Sequence, residues 1–582
     1  MKIGIDFGST YSAVSKYDEI LNHVTAITFS EGEPASIPSV VSVSKKGQIT
    51  CGKGAKDQAG KKTVRIFEAF KMLLTETNQE MLRRRGYDEE YTPRRITKLF
   101  LESVLDGVLR RENDKGFEDL VICVPEIWSS KVATLDGRLI LRDILINDID
   151  IPVEHVQIVT EPEAASAFFA YNYEKQTGRN FNGHLLLIDY GGGTLDITLT
   201  KVTSDQQGIM EIRYVDGGGA GENHPDQSGG GTIGSAGIAY MQSVVTHALQ
   251  DAGVVGQGES PDYTAPDFIA AVRDLESQLK SAERIRDIED TFGAYGSYRK
   301  ISRIFREEAI DFITLEYDEE EVPVTFQHLF LAYQETIEQV LSEEIRKINE
   351  KVQKCIGKDP CEPETGIQDD FKIALVGGFG SFFLVKQQVA EIYRLDANAN
   401  IDLRTKNITA EKREQAISLG AALLAAGKVV LQKTARYSIG LFTRSSDGRP
   451  EKFYYAIKYH QMIKSGHPYF ILEDEEKADE PGNRTTWGAL YGNIDSFVIG
   501  FDESVNRGAP MRLRPVMLER LKQLPQLGFW NCGFSMDENE VVSFHVVPSQ
   551  RFGLQAADKG IVIPLEGYSE MFDLTAISEV TI

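Results

Sequence analysis

The sequence is poor in the features that mark exported, zinc-bound and membrane proteins. Its five cysteines are scattered over 582 residues and include no C-x-x-C pair, which excludes a disulfide framework and a zinc site as predictions. No uncharged apolar run reaches the length of about 18 residues that a membrane-spanning helix needs. An apolar segment begins at Ile3, and it leaves no room for the basic start of an export signal. We therefore expect a cytoplasmic protein without a membrane partner.

Positive charge is also scarce. The chain carries 63 basic against 87 acidic residues, a formal net charge of −24. Such a field repels phosphate backbones and anionic lipid heads, so nucleic acid is not an expected partner. The 42% of hydrophobic and 26% of charged residues are those of a globular protein, and the length predicts several packed units.

The first part of the chain predicts an α/β architecture. Up to about residue 428, short apolar segments alternate with amphipathic helical ones. From Phe326 to Val352, apolar residues recur with a period near 3.6, which is typical of a core-facing helix. A second helix is predicted from about Ala410 to Gly427. It begins with charged residues and continues with small apolar ones, as expected of a helix packed closely beneath a ligand cleft.

The last part of the chain predicts a β-rich domain. Segments of period two lie at residues 452–459, 541–547 and 560–565, separated by Gly, Pro, Asn and Asp. The acidic stretch at residues 473–480 is interpreted as a solvated loop. We expect three parts: a domain over residues 1–428, a short linker over 429–434, and a smaller β-rich domain over 435–582.

An internal repeat is the most informative pattern. Residues 3–10 and 187–194 share one plan, in which an apolar strand is followed by Asp, an aromatic residue, a Gly-rich turn and a hydroxyl. Another apolar segment follows each, so both predict β-hairpins with glycine at the tip. A single hairpin of this kind is as well explained by a plain glycine turn. Two of them indicate two similar halves that face one cleft.

The chemistry of the repeat points to a nucleotide. Glycine allows positive φ and lets backbone N–H groups approach a ligand, and concave rows of such groups bind phosphate. Asp6 and Asp189, at the two strand ends, would then meet the negative charge of the phosphates. A cation reconciles that arrangement, and Mg²⁺ is suited to it because it binds through one or two carboxylates, phosphate oxygens and water.

Six segments in this order resemble the signatures of the heat shock protein 70 (DnaK-type) ATPase domain, within the actin-like ATPase superfamily. They are residues 3–15, 120–125, 158–167, 185–199, 373–380 and 417–422. The resemblance implies an actin-like fold with two lobes, each built on a ribonuclease-H-like sheet, which close over Mg²⁺ and ATP or ADP.

The resemblance also assigns roles to residues. Asp6 and Asp189 would hold the metal through water, Asp196 would lie near it, Lys71 would contact phosphate, and Glu161 would position the attacking water. A lysine on a helix surface and a helix-capping acid are the plain alternatives for Lys71 and Glu161. The residues expected to contact the nucleotide are Asp6, Gly8, Ser9, Thr10, Gly191, Gly192, Gly193, Thr194, Gly230, Gly231, Glu276, Lys280, Gly377 and Gly378. An exposed i,i+4 ion pair explains Glu276 and Lys280 almost as well.

The sequence departs from conventional members of this family at several places. Phe379-Gly380-Ser381 stands where chaperones carry Ser-Thr-Arg, so the adenine-stacking arginine is missing. The Gly-Gly-Phe motif is similar to the motif of the divergent heat-shock branch that the vertebrate A-twelve proteins typify. After Pro125 the nearest cations are Lys131 and Arg138, and neither aligns cleanly with the family's switch arginine. The C-terminal part shows no pattern of a long helical lid.

The leading hypothesis is a slow ATPase, chaperone-like in mechanism, whose nucleotide state controls how the C-terminal domain binds a polypeptide client or partner. Dependence on co-chaperones is left open. The alternatives are an actin-fold small-molecule kinase and a filament-forming or scaffolding actin relative.

Overall fold

The computed structural model describes most of the chain. The described residues are 1–29, 35–58, 61, 63–130, 136–191, 195–205, 208–220, 237–263, 265–357, 371–377, 382–393, 415–444, 450–473, 484–489, 498–502, 511–512, 528–549 and 560–565. The chain divides into two compact units, one made of Met1–Ile127 and Ile144–Val430, the other of Trp128–Asp143 and Leu431–Ile582. The predicted domain boundaries stay a prediction, and the units differ from them chiefly in the place of Trp128–Asp143.

The first unit is mixed α/β. Its strands are β1 (Lys2–Asp6), β2 (Tyr11–Asp18), β3 (His23–Ala26), β4 (Ser36–Pro38), β5 (Val40–Ser44), β6 (Ile49–Cys51), β7 (Val64–Glu68), β8 (Asp119–Val124), β9 (Val156–Thr160), β10 (Gly183–Tyr190), β11 (Leu195–Ser204), β12 (Met210–Ala220), β13 (Asp311–Tyr317), β14 (Glu320–Thr325), β15 (Phe371–Val376) and β16 (Val429–Gln432).

The α-helices, numbered along the whole chain, are α1 (Lys53–Lys56), α2 (Gln79–Arg84), α3 (Pro93–Glu112), α4 (Ile127–Ser130), α5 (Asp136–Asp143), α6 (Glu161–Thr177), α7 (Gly237–Asp251), α8 (Pro266–Leu279), α9 (Ala282–Gly293), α10 (Tyr298–Ile304), α11 (Phe326–Tyr333), α12 (Gln339–Ile356), α13 (Phe383–Ile392) and α14 (Ala416–Ala425). Shorter 3₁₀ turns span Phe70–Leu73 and Val153–His155, and π-helical turns span Ile144–Asp148 and Gln334–Glu338.

Two sheets of the first unit repeat one topology. The first has the order β3-β2-β1-β8-β9, with β4 beside β2, and the second the order β16-β12-β11-β10-β15. In the first, β1 runs antiparallel to β2 and parallel to β8. In the second, β10 runs antiparallel to β11 and parallel to β15. The two hairpins predicted from the sequence repeat are therefore confirmed, and each stands at the same place in its sheet.

The two predicted helices are confirmed within the described residues. The segment with the helical period that begins at Phe326 forms α11, the π-helical turn Gln334–Glu338 and α12, which follow one another without a break. The Thr325 side chain begins this run by accepting a hydrogen bond from the backbone of His328. The second helix is α14, whose residues Ala416–Leu424 are all buried.

Close packing of α14 rests on two glycines. A Cβ added to Gly4 of β1 would lie 2.1 Å from the backbone nitrogen of Ala422, and one added to Gly420 would lie 1.7 Å from the carbonyl oxygen of Ala164 in α6. Neither position has room for a larger residue. This contact fixes α14 and α6 against the strand that carries Asp6.

The second unit is β-rich. Its strands are β17 (Ser438–Arg444), β18 (Pro450–Ile457), β19 (Tyr469–Phe470), β20 (Thr486–Ala489), β21 (Val498–Asp502), β22 (Met511–Arg512), β23 (Gly528–Met536), β24 (Val542–Pro548) and β25 (Ile561–Pro564). They form two antiparallel sheets, of order β18-β17-β21-β22 and β19-β23-β24-β25, with β20 beside β23. One apolar core joins both sheets and includes Ile439, Leu441, Cys532 and Phe544. The three period-two segments predicted here match β18, β24 and β25, which confirms the β-rich interpretation.

Two further predicted segments have different outcomes. The acidic loop over residues 473–480 lies almost entirely outside the described residues. The apolar linker Val429-Val430-Leu431 forms β16, the edge strand beside β12, with Val429 buried and Val430 exposed. It does not continue helix α14.

Candidate nucleotide site

Three aspartates lie at the ends of the repeated strands. Asp6 is the last residue of β1, and its cross-strand partner on β8 is Cys123. Asp189 lies one residue from the end of β10, opposite Asp196 of β11. Asp189 and Asp196 are buried. The duplicated topology thus delivers a carboxylate at the same position of each sheet, as the sequence predicted.

Lys71 and Glu161 meet although 90 residues separate them. Lys71 lies in the 3₁₀ turn Phe70–Leu73, which Ala69 precedes with a left-handed φ of 51°. Glu161 is the first residue of α6. The Lys71 ammonium donates a hydrogen bond of 2.5 Å to Glu161 Oε1, and both side chains are buried. The plain alternative of a surface lysine is therefore wrong for Lys71.

Glu161 lies in the first turn of α6, where the helix dipole also stabilises a carboxylate, but the capping box of this helix is made by its neighbour Glu163. Thr160 is the N-cap residue of α6, and the Glu163 side chain accepts the backbone N–H of Thr160 at 3.0 Å, so Glu163 is the acidic member of the capping box. The carboxylate of Glu161 is directed to Lys71 instead. Its role in positioning water stays a proposal.

The carboxylates of this site repel one another. Burial raises the pKa of Asp6 to about 7, with a further contribution from Glu161, and Lys71 opposes the shift. Burial also raises the pKa of Asp189 well above its ordinary value, and the charges of Glu161, Asp196 and Asp6 add to it. Among the described residues, the Lys71 ammonium opposes the shifts of Asp6 and Asp189 and contacts Glu161. Such a site favours the entry of a cation.

The residues present fit a magnesium ion held partly through water and phosphate. Within the described part of the chain, Asp189 Oδ2 and Thr10 Oγ1 are buried without a hydrogen-bond partner. In the same part, no group of three or more His, Cys, Asp or Glu side chains could hold a metal ion by itself. One or two carboxylates with phosphate oxygens and water are the ligand set that Mg²⁺ prefers.

Glycines make close backbone approaches at this site. A Cβ on Gly8 would lie 1.9 Å from the carbonyl oxygen of Tyr11, so the turn of the first hairpin requires glycine. Gly377, directly after β15, has a φ of +81°, and a Cβ there would lie 2.3 Å from Asp189 Oδ1. Gly377 therefore lies beside the carboxylate of the second hairpin. Ser9 follows Gly8 in the first turn and is half-buried, and Gly191 follows β10.

Glu276 and Lys280 form part of a larger cluster. Lys280 donates to Glu276 at 2.7 Å, and Lys56 lies 3.6 Å from the other carboxylate oxygen. The Lys56 ammonium donates to the Tyr11 hydroxyl at 2.6 Å, and that of Lys280 lies 3.8 Å from the centre of the Tyr11 ring. The pair is therefore more than an exposed i,i+4 contact. Sequence reasoning missed Lys56 and Tyr11, although Tyr11 directly follows the predicted Thr10.

Several predicted residues lie outside the described part of the chain: Gly192, Gly193, Thr194, Gly230, Gly231, Gly378 and the Phe379-Gly380-Ser381 segment. Their roles stay predictions.

A second buried ionic cluster lies within the β-rich unit. The Arg138 guanidinium lies 3.1 Å from the Glu540 carboxylate and donates to the Asn539 carbonyl oxygen at 2.8 Å. Lys433 and Arg436 lie 3.4 and 3.7 Å from the same carboxylate. Burial raises the pKa of Glu540, but Arg138, Lys433 and Arg436 outweigh it and lower the pKa to about 2. No sequence signal singled out Glu540, because it ends an acidic turn that is typical of a solvated surface.

Comparisons with known proteins agree with the N-terminal motifs. Residues 2–220 match the family model described as Hsp70 protein. The chain is 28% identical over 238 residues to the chloroplastic heat shock 70 kDa protein 6 of Arabidopsis thaliana, covering 37% of this chain and 30% of that protein. It is 28% identical over 225 residues to the chaperone protein DnaK of Nitrosopumilus maritimus, covering 37% of this chain and 31% of that protein. The match thus spans about a third of the relatives' length. Among the described residues, no helix combines the length and apolarity needed to cross a membrane.

Proposed function

We propose that this chain, whose residues 2–220 match the Hsp70 protein family model, binds Mg²⁺-ATP at the ends of β1 and β10, hydrolyses it slowly, and uses its nucleotide state to control how the β-rich unit holds a polypeptide partner. The observation that carries this proposal is the meeting of Asp6, Asp189, Lys71 and Glu161, which are far apart in sequence. A cytoplasmic location stays a prediction, since some of the relatives are chloroplastic proteins.

Each side chain has a distinct task in the proposed reaction. Asp6 and Asp189 would hold the magnesium ion through water, and the ion would offset charge on the phosphates. Lys71 is positioned to neutralise a phosphate oxygen, because its buried ammonium contacts Glu161 and its charge acts on both Asp6 and Asp189. Glu161 is a carboxylate held in one orientation by that bond, as a group that orients an attacking water must be.

Control of the β-rich unit has a direct route along the chain. Strand β8 pairs with β1 beside Asp6, and the chain continues from β8 into Trp128–Asp143, which belongs to the second unit. Within that unit, Leu139 packs against the apolar core and Arg138 holds Glu540. A change at the end of β1 can therefore reach the β-rich unit through covalent continuity.

Calorimetry of the full chain with ATP, with and without Mg²⁺, tests the first step. We expect magnesium-dependent binding and slow release of phosphate. Absence of nucleotide binding would remove the proposal, and ATP consumption that requires a small hydroxyl-bearing substrate would indicate a kinase instead.

The partner step is tested by fluorescence anisotropy of a labelled, permanently unfolded polypeptide. The full chain should bind it with affinities that differ by tenfold or more between ATP and ADP. Equal affinities in both states, or no binding, would reject nucleotide control of a polypeptide client.

A further inference from the structure

Phe7 occupies an unusual place for a core aromatic residue. It stands between Asp6 and Gly8 in the first hairpin and is fully buried. Its ring centre lies 6.0 Å from that of Phe70 and 6.1 Å from that of Phe100. The packing alone would make Phe7 an ordinary member of an aromatic cluster.

The Lys71 ammonium gives the Phe7 ring a second contact. The Nζ atom lies over the ring, 5.5 Å from its centre, while Glu161 Oε1 accepts a hydrogen bond from the same atom. An aromatic face attracts a cation within about 6 Å, and the attraction grows when both groups are desolvated. Phe7 is fully buried and Lys71 is only 2% exposed, so this is the desolvated case.

The second hairpin carries the corresponding aromatic residue. Tyr190 stands after Asp189 as Phe7 stands after Asp6, it is equally buried, and its ring belongs to the apolar core of the second sheet. The aromatic residue of the repeat is thus buried in both hairpins, and in the first the Lys71 ammonium lies over its face.

We infer that Phe7 is a positioning residue for the proposed ATPase reaction. Its ring holds the Lys71 ammonium in the position from which the ammonium would contact phosphate. The inference rests on the proposed function. Asp6 and Phe7 are adjacent in the chain. The first hairpin therefore positions both the carboxylate proposed to hold the metal and the ring that lies under the Lys71 ammonium. The ring acts through Lys71 and touches no reacting atom.

Substitution of Phe7→Leu keeps an apolar side chain and removes the ring face. We expect turnover at saturating Mg²⁺-ATP to fall roughly 3- to 30-fold, the range given by the strength of a buried cation–π contact. Nucleotide affinity should stay within about twofold, since the phosphate hairpins are unchanged. Phe100→Leu is the matched control, because Phe100 belongs to the same cluster and should leave turnover nearly unchanged.

Fluorinated phenylalanines separate the ring's electrostatics from its shape. Stepwise fluorination at position 7 weakens the negative face at nearly constant size and should slow turnover progressively, whereas the same series at position 100 should not. Equal effects at the two positions, or no effect of fluorination at position 7, would reduce Phe7 to a packing residue and overturn the inference.

A measurement without nucleotide keeps this inference separate from the proposed function. In thermal unfolding of the nucleotide-free full chain, the destabilisation by Phe7→Leu should be clearly smaller in a Lys71→Met background than in the wild type. Additive effects would overturn the contact. Coupling in a protein that fails to bind ATP would reject the ATPase proposal and leave the Phe7–Lys71 contact standing.

Discussion

At the residue scale, the site is dominated by charges that the fold forces together. Burial is the main cause that raises the pKa of Asp6 to about 7 and the pKa of Asp189 well above its ordinary value. The Lys71 ammonium opposes both shifts, and a bound cation would offset more of the cost of burying the two carboxylates. Strongly shifted carboxyl groups of this kind are typical of binding and catalytic sites.

Substitutions at Asp189 and at Glu161 should affect nucleotide binding and ATP hydrolysis differently. We expect Asp189→Ala to weaken magnesium-dependent nucleotide binding more than about tenfold, because one of two metal-facing carboxylates is lost. Glu161→Gln keeps an acceptor for Lys71 and should bind nucleotide normally but hydrolyse it roughly 10²-fold more slowly. Calorimetry and single-turnover hydrolysis measure the two effects. Equal loss of affinity in both variants would show that Glu161 is not the water-positioning group.

At the element scale, the contact between α14 and α6 supports the hairpin that carries Asp6. We expect Gly420→Ala to destabilise the protein by at least about 1–3 kcal/mol, because its Cβ would overlap the Ala164 carbonyl oxygen. Gly116→Ala is the control, since nothing lies within 4 Å of a Cβ there. Thermal unfolding of both variants measures the difference. Similar melting temperatures would mean that α14 can shift freely.

The β-rich unit should lose stability in acid through Glu540. Its pKa is about 2 in the folded protein against an ordinary value of 4.5. A group with a lowered pKa stabilises the fold above its unfolded value, and this stabilisation is lost as the pH falls from about 4.5 to 2. At about 1.4 kcal/mol per pKa unit the loss amounts to a few kcal/mol.

Glu540→Gln should flatten that pH dependence and lower the stability at pH 7, since Arg138 then stays buried without its carboxylate. Urea unfolding of the second unit, followed between pH 2 and 7, measures both effects. Asp119, the partly buried first residue of β8, provides a control position outside the cluster. An unchanged pH profile in Glu540→Gln would show that the cluster does not set the acid stability.

The sequence predicted the elements and the local motifs well, and the long-range contacts poorly. The strand–Asp–Gly repeat is local, so it located Asp6 and Asp189 and both hairpins. The family resemblance assigned separate roles to Lys71 and Glu161 but predicted no contact between them, and the contact of Lys56 with Tyr11 was missed. Arg138 and Glu540 lie about 400 residues apart, and such a contact depends on topology that periodicity does not encode.

At the scale of the whole molecule, the compact units do not follow the order of the chain. Trp128–Asp143 leaves the first unit after β8 and belongs to the second, and the chain enters the second unit again at Leu431, within β16. Three covalent connections therefore join the units, at Ile127–Trp128, Asp143–Ile144 and Val430–Leu431.

The final prediction concerns the coupling of the two units. Strand β16 is a short edge strand with Val429 buried, and burial of a few apolar side chains at about 25 cal/mol per Å² supplies a few kcal/mol at most. That is enough to bias two arrangements by tenfold or more. We expect hydrogen exchange over residues 425–436 to differ between the ATP and ADP states, and exchange over residues 136–143 to change with it, because each segment lies next to a junction between the two units. Asp189→Ala, which should bind the nucleotide more weakly, should reduce both differences at a nucleotide concentration that saturates the wild type. Identical protection in the two states would leave a rigid ATPase of two units and remove the chaperone-like mechanism, while a change confined to residues 425–436 would assign the coupling to β16 alone.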